Sequence, residues 1–152
     1  MPDGLYDRDI LTWSEQQAAL LRRLARGERV NAAVGWDNLI DEVKTVDRNE
    51  LRACEGLLYQ AVLHLLKLRF GFDPKPKAHW ANEIGTFLDG AQRAFIPSMR
   101  HRGMLQTEYA RARRKCRRLL SPETQISQTC SYSLDDLLDP DVDLDRLLSK
   151  SN

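Results

Sequence analysis

Three side chains in this sequence belong to the types that bind metals or move protons: Asp41, Glu42 and His64. At 3.6 residues per helical turn, Glu42 lies at the flank of the apolar stripe formed by Leu39 and Val43, whereas Asp41 points away from that stripe. His64 lies inside an apolar helix, where an imidazole beside a carboxylate could bind a divalent cation or transfer a proton. The sequence therefore allows a metal- or histidine-dependent enzyme centred on His64, with Glu42 and Asp41 or with Glu55 as its partners.

A structural role is the stronger interpretation of these side chains. A histidine on an apolar helix face is more often neutral and hydrogen-bonded within the fold than bound to a metal. Carboxylates such as Asp41 and Glu42 are usually solvated or paired with Lys or Arg. His79 and Glu83 are four residues apart and face one side of a helix, but two ligands are too few for a metal site. We therefore expect no metal ion and no cofactor, and the sequence favours a protein that is not an enzyme.

No other motif supports nucleophilic or nucleotide chemistry. The serines lack a G-x-S-x-G context, and the glycines form neither a P-loop nor a dinucleotide-binding pattern. Cys54 and Cys116 fall at helical core positions, where a thiol is a small inert hydrophobe. Cys130 falls in a predicted loop and is the thiol whose reactivity deserves the first test.

Basic residues are concentrated in one part of the chain. Residues 93–118 hold nine Lys or Arg and one acid, Glu108, whereas residues 119–152 hold seven acids and two bases. The helical period places four arginines in one sector about 60° wide: Arg100, Arg111, Arg114 and Arg118. Because the planar guanidinium suits carboxylates and phosphates, these four arginines are the candidate binding residues.

Three kinds of ligand compete for this arginine face. The acidic C-terminal segment could fold back on it, an unidentified protein partner or a second copy of the chain could bind it, or nucleic acid phosphates could bind it. The net charge of +1 and the lack of interleaved exposed aromatic residues count against nucleic acid. We therefore predict a non-enzymatic protein-interaction or regulatory module that uses this face of its fifth helix, with nucleic-acid binding as an alternative.

The apolar pattern is helical throughout. Apolar residues recur at steps of three and four in five segments, and no stretch alternates as a half-buried strand does. The five predicted helices span about residues 7–27, 36–46, 51–68, 79–95 and 97–120, and a short sixth helix spans 133–138. The sequence thus predicts an all-α, single-domain helical bundle of about five main helices plus a short C-terminal helix over residues 1–138. Residues 139–152 are acidic and are expected to fray.

The composition of the chain is typical of one globular domain, and its apolar runs and cysteines indicate a compartment. The chain has 152 residues, of which 42% are hydrophobic and 30% charged, a balance that suits one globular domain and excludes a wholly disordered chain. The first ten residues lack an apolar segment, and no apolar run approaches the roughly 20 residues needed to cross a bilayer. Three widely spaced cysteines favour free thiols in a reducing compartment. We therefore expect a cytoplasmic protein that does not bind membranes.

Several segments share their order and spacing with one protein family. They are Leu5-Tyr6-Asp7 with Trp13, the stretch Gln17–Leu21, Trp36–Val43, Leu63–Lys67, Trp80 with Ile84, Tyr109–Arg113, and Cys130 before Leu134. On these segments the chain resembles the domain of unknown function 29 family, small helical proteins of bacteria. It departs from the family where Leu68 replaces a common aromatic residue and where His79 precedes Trp80. The resemblance implies an all-helical fold and no established activity.

Overall fold

The computed structural model describes residues 4–71 and 76–150, apart from the side chain of Asp47. In these residues the regular secondary structure is helical, without strands. In chain order the helices are α1 (Leu5–Arg8), α2 (Ile10–Ala25), α3 (Trp36–Arg69), α4 (Lys77–Ala94), α5 (Met104–Leu119), α6 (Leu134–Leu137) and α7 (Leu144–Ser149). None of them is both long and apolar enough to span a membrane. The predicted all-α class is confirmed.

The helices form two compact units, one of residues up to Arg48 and one from Asn49 onward. The sequence predicts one domain over residues 1–138. Helix α3 runs across residues 48 and 49 without a break.

In the first unit, the single predicted N-terminal helix is divided at Asp9. The carboxylate of Asp9 accepts hydrogen bonds from the amide of Thr12 at 3.1 Å and from its hydroxyl at 2.6 Å, so it caps the start of α2. Gln17 is buried, and its side-chain oxygen accepts a hydrogen bond from the amide of Gly35 at 2.8 Å. This bond ties α2 to the chain just before α3.

Helix α3 corrects the prediction of two separate helices at 36–46 and 51–68. The intervening residues 47–50 are Asp-Arg-Asn-Glu, which contain neither Gly nor Pro. Nothing in the backbone stops the helix there, and only the apolar stripe is interrupted. Apolar periodicity therefore located the two halves but missed their continuity.

The second unit is built around one apolar core. Helix α3 contributes most of the fully buried side chains, and α4 to α7 pack further residues against them. The residues of α3 with 0% exposure are Cys54, Leu58, Ala61, Val62, Leu65 and Leu66. On α5 the apolar spacing predicts five core positions, of which all but Leu119 are buried: Leu105, Tyr109, Ala112, Cys116 and Leu119. Leu119 is the last residue of the helix and is 45% exposed.

Helix α5 begins at Met104, whereas the sequence predicts a start at Pro97. Pro97 opens a 3-10 turn instead, and Gly103 follows with a φ of +65°, a left-handed conformation that favours glycine. This turn separates Arg100 from α5. The predicted sector of four arginines on one helix is therefore wrong for Arg100.

Composition predicts a frayed tail over residues 139–152, of which residues 151 and 152 lie outside the described ranges. Within the rest, residues 144–149 form α7. Asp143 caps α7 by accepting a hydrogen bond from the amide of Asp145, and Leu147 is only 2% exposed. The side chain of Gln92 donates to the carbonyls of Leu137 and Asp139 at 3.3 and 3.0 Å. The buried Leu147 and the hydrogen bonds of Gln92 therefore hold in place a segment that its acidic composition predicts to be solvated.

Candidate functional site

A basic groove lies beside α5 in the second unit. Its volume is about 420 Å³, and it is lined by Arg111, Arg114, Lys115 and Arg118 together with Tyr59 and Leu119. The four cations occupy positions i, i+3, i+4 and i+7 of α5, so they share one face of about 100°. We call this set the basic groove. It contains three of the four arginines that the sequence singles out.

Tyr59 and Glu108 hold Arg111 in place at the groove. The guanidinium carbon of Arg111 lies 4.1 Å from the centroid of the Tyr59 ring, a cation–π contact. The same guanidinium donates a hydrogen bond of 3.3 Å to the carboxylate of Glu108. Glu108 is only 5% exposed, and this burial raises the pKa of its carboxyl while Arg111 opposes the shift. These two contacts orient Arg111 at the groove.

The other cations of α5 divide into two groups. Arg113 donates to the carbonyl of Ile126 at 3.0 Å, and Arg117 donates to the carbonyl of Thr124, so both secure the loop after α5. The second group consists of Arg114, Lys115 and Arg118, which are all exposed. None of these three side chains has an acidic partner in the described ranges 4–71 and 76–150. The groove therefore presents three uncompensated charges beside Arg111.

The acidic C-terminal segment does not occupy the groove in the described residues. Asp135 pairs with Arg100 at 2.8 Å, and Asp136 pairs with Lys150. Asp145 pairs with Lys77 of α4. Of the candidate binding residues, Arg100 is thus the one that meets the acidic segment, which leaves the face of Arg111, Arg114 and Arg118 open.

His64 lies in the core of the second unit among aromatic rings. Its ring centroid is 4.8 Å from that of Trp80 and 5.2 Å from that of Phe87, and its side chain is 11% exposed. Its Nδ1 is 2.7 Å from the carbonyl oxygen of Gln60, which fits an Nδ1–H donor, and its Nε2 is 3.6 Å from the carboxylate of Glu83. This enclosure leaves little of the imidazole for a substrate.

Glu83 stands between two histidines; sequence spacing placed it beside His79 but not beside His64. Its carboxylate is 3.6 Å from His64 and 3.9 Å from His79. The sequence predicted Glu42 or Glu55 as the partner of His64, and the partner is on α4 instead. Spacing relates residues of one helix, whereas the contact between α3 and α4 depends on how they pack.

Removing Glu83 should lower the pKa of His64. Burial already lowers that pKa below its ordinary value of 6.5, and Glu83 opposes the shift. We expect Glu83→Gln to lower it further, because the neutral amide no longer stabilises the imidazolium. Titration of the imidazole signals by NMR measures the change, and Glu55→Gln is the matched control that should leave the signals of His64 in place. An unchanged pKa in Glu83→Gln would contradict the contact.

Asp41 and Glu42 lie in the first unit and have their own surroundings. The hydroxyl of Tyr6 donates a hydrogen bond of 2.6 Å to the carboxylate of Glu42, and this bond raises the pKa of Tyr6. Asp41 is exposed. Among the residues that the structure describes, no group of three or more His, Cys, Asp or Glu side chains could hold a metal ion. Within the described residues, none of His64, Asp41 and Glu42 therefore belongs to such a metal-binding group.

A second pocket belongs to the first unit. It has a volume of about 320 Å³ and is walled mainly by aromatic rings, side-chain amides and the backbone of residues 32–35. The rings of Tyr6 and Trp13 meet edge to face at 4.8 Å. Its described lining contains no cation and only one carboxylate, Asp7. It offers less charge to a ligand than the basic groove does.

The sequence matches one known protein family, described as Domain of unknown function DUF29, over residues 5–142. The chain belongs to the DUF29 family. This membership confirms the resemblance drawn from the motifs. No curated protein and no solved structure matches the chain.

Cys130 of this DUF29 protein is not the reactive thiol that its predicted loop position suggested. It is 9% exposed, and burial raises its pKa to about 11. Burial also raises the pKa of Cys54 to about 11 and raises that of Cys116. All three thiols are free and buried. None of them is a candidate nucleophile.

Proposed function

We propose that this DUF29 protein is a non-enzymatic, cytoplasmic protein-interaction module whose basic groove binds an acidic segment of a partner protein. The observation that carries the proposal is the set of exposed cations without acidic partners in the described residues, Arg114, Lys115 and Arg118, next to Arg111. Guanidinium groups form strong, often bidentate hydrogen bonds with carboxylates. An acidic segment of a partner protein supplies the negative charges that the described residues do not place beside these cations.

The dimensions of the groove define the segment that fits. Arg111 and Arg118 are seven residues apart, which is about 10 Å along a helix. An extended peptide covers that length with about three residues, so two or three acids suffice. Leu119, which is 45% exposed at the end of the groove, offers an apolar contact. The expected ligand is a short acidic segment with one apolar residue beside its acids.

The aromatic residue of the groove favours a peptide over nucleic acid. Proteins that bind single strands usually expose aromatic faces on which bases stack. Tyr59 is 8% exposed, and Arg111 covers its ring at 4.1 Å. Tyr59 therefore offers little free ring surface on which a base could stack. The near-neutral charge of the whole chain, +1, also lacks the long-range attraction typical of nucleic-acid binding.

Charge reversal in the groove tests this function. The probe is a fluorescein-labelled peptide with four glutamates and one leucine, and its binding is measured by fluorescence anisotropy. We expect the variant Arg111→Glu/Arg114→Glu/Arg118→Glu to weaken binding by about 100-fold or more, because three charge-assisted contacts become repulsions. The variant Arg22→Glu/Arg29→Glu/Arg52→Glu changes the net charge equally at exposed sites and should stay within about threefold of the wild type.

Two results would overturn the proposal. One is the absence of peptide binding by the wild type, and the other is an equal loss in the control variant, which would mean that only net charge matters. Single-stranded and duplex DNA of the same charge are measured at the same salt concentration. Tighter binding of DNA than of the peptide would assign the groove to phosphates instead. Circular dichroism checks that each variant keeps its helices.

A further inference from the structure

Helix α3 carries an exposed apolar stripe within the first unit. Trp36, Ile40, Val43 and Val46 are 45%, 49%, 65% and 62% exposed. They follow one another at steps of four, three and three residues, so they lie on one face about 120° wide. Single exposed apolar side chains are ordinary, but a stripe that continues over three turns is typical of an interface.

One flank of this stripe carries a pair of opposite charges. Asp37 and Lys44 are both exposed and seven residues apart. By the helical period they lie within about 20° of each other, next to the apolar face. Charged residues at this flanking position pair between helices in coiled coils and determine orientation. The stripe and its flank therefore have the layout of a helix-pairing surface.

A second copy of the same helix, packed antiparallel, fits both features. With the two-fold axis near Asp41, Trp36 faces Val46 of the second copy and Ile40 faces its Val43. Two antiparallel helices related by a two-fold axis bring the same flank together, so Asp37 of each copy meets Lys44 of the other. In a parallel pair, opposite flanks would meet and these charges would not pair. The charge pattern is thus complementary to itself in one orientation.

We infer that the protein forms a two-fold symmetric dimer in which the stripe of residues 36–46 packs antiparallel on the same stripe of a second copy. A two-fold interface uses one patch on both subunits and closes after two copies. The dimer buries four apolar side chains from each copy and makes two equivalent Asp37–Lys44 pairs. This inference uses the first unit alone and does not depend on the basic groove.

A charge placed in the stripe should dissociate the dimer. Sedimentation equilibrium of the full chain over a concentration series measures the dissociation constant. We expect Val43→Glu to raise it at least about 100-fold, because each dimer would bury two unpaired carboxylates. The control is Ile96→Glu, which adds the same charge at a 45% exposed residue of the second unit and should leave the constant unchanged. A wild type that stays monomeric up to about 1 mM would overturn the inference.

The orientation of the two helices has its own test. We expect Asp37→Lys to weaken the dimer about tenfold, since each of two pairs becomes a repulsion. The double variant Asp37→Lys/Lys44→Asp restores opposite charges and should regain the affinity of the wild type. A double variant that stays as weak as the single one would rule out the antiparallel pairing. All these positions are exposed, so circular dichroism should show unchanged helicity.

Discussion

Replacing Trp80 with alanine should lower the free energy of unfolding by about 3–5 kcal/mol, the range for deleting a large buried aromatic side chain. Trp80 is 4% exposed, and its ring packs against those of His64 and His79 with centroids 4.8 and 5.4 Å apart. Deleting the indole leaves a cavity that α3 and α4 can close only in part. Urea denaturation followed by circular dichroism measures the loss.

The same substitution has a second, independent readout. Water entering the space of the indole should reduce the burial that lowers the pKa of His64, so this pKa should rise toward 6.5. Leu11→Ala is the control, because Leu11 is 73% exposed and lies outside the apolar stripe of α3. We expect that control to change stability by less than about 0.5 kcal/mol. Equal losses in the two variants would contradict the assignment of Trp80 to the core.

Placing a charge at Leu147 should destabilise the protein by about 4 kcal/mol or more. Leu147 is 2% exposed in α7, so Leu147→Asp buries a carboxylate without a partner, one of the few substitutions with effects of that size. The comparison is Ser149→Asp, which adds the same charge to an exposed residue of the same helix and should change stability by less than about 0.5 kcal/mol. Chemical denaturation of both variants decides the matter. A small effect at Leu147 would mean that the acidic segment contributes little to the core.

The interior of the second unit could be predicted from the sequence because its buried helix faces follow the apolar spacing. The spacing of Cys54, Leu58, Ala61 and Leu65 predicts one buried helix face, and all four have 0% exposure. The same rule fails in the first unit, where the stripe of Trp36 and Ile40 has the pattern of a core face but remains exposed. Periodicity identifies an apolar face and does not say what covers it.

Helix boundaries followed backbone chemistry that apolar spacing does not record. The cap at Asp9 divides the predicted first helix, and the left-handed Gly103 places the start of α5 after the predicted start at Pro97. The absence of Gly and Pro in residues 47–50 let α3 continue through a polar gap. The capping serine of the short helix, Ser133, was predicted and forms a reciprocal capping box with Asp136, because that signal is local.

The candidate site could be predicted only where one helix supplies it. Arg111, Arg114 and Arg118 share a face of α5 by spacing alone, and Lys115, at i+4 from Arg111, could have been included by the same rule. Tyr59 comes from α3, and its contact with Arg111 depends on helix packing. Spacing also gave no warning that Arg113 and Arg117 bind loop carbonyls, so a count of cations overstates the charge available to a ligand.

The burial of all three thiols has a practical consequence for handling the protein. With a pKa of about 11, a thiol is a thiolate in only about one molecule in ten thousand at pH 7, and the thiolate is the form that oxidants and alkylating agents attack. Cys116 is buried as well, and burial also raises its pKa. Because burial shields all three thiols from reagents, the native chain should tolerate air and maleimides without loss of its own cysteines. A single cysteine introduced at Leu11, which is 73% exposed, would accept a fluorophore or spin label against a silent background.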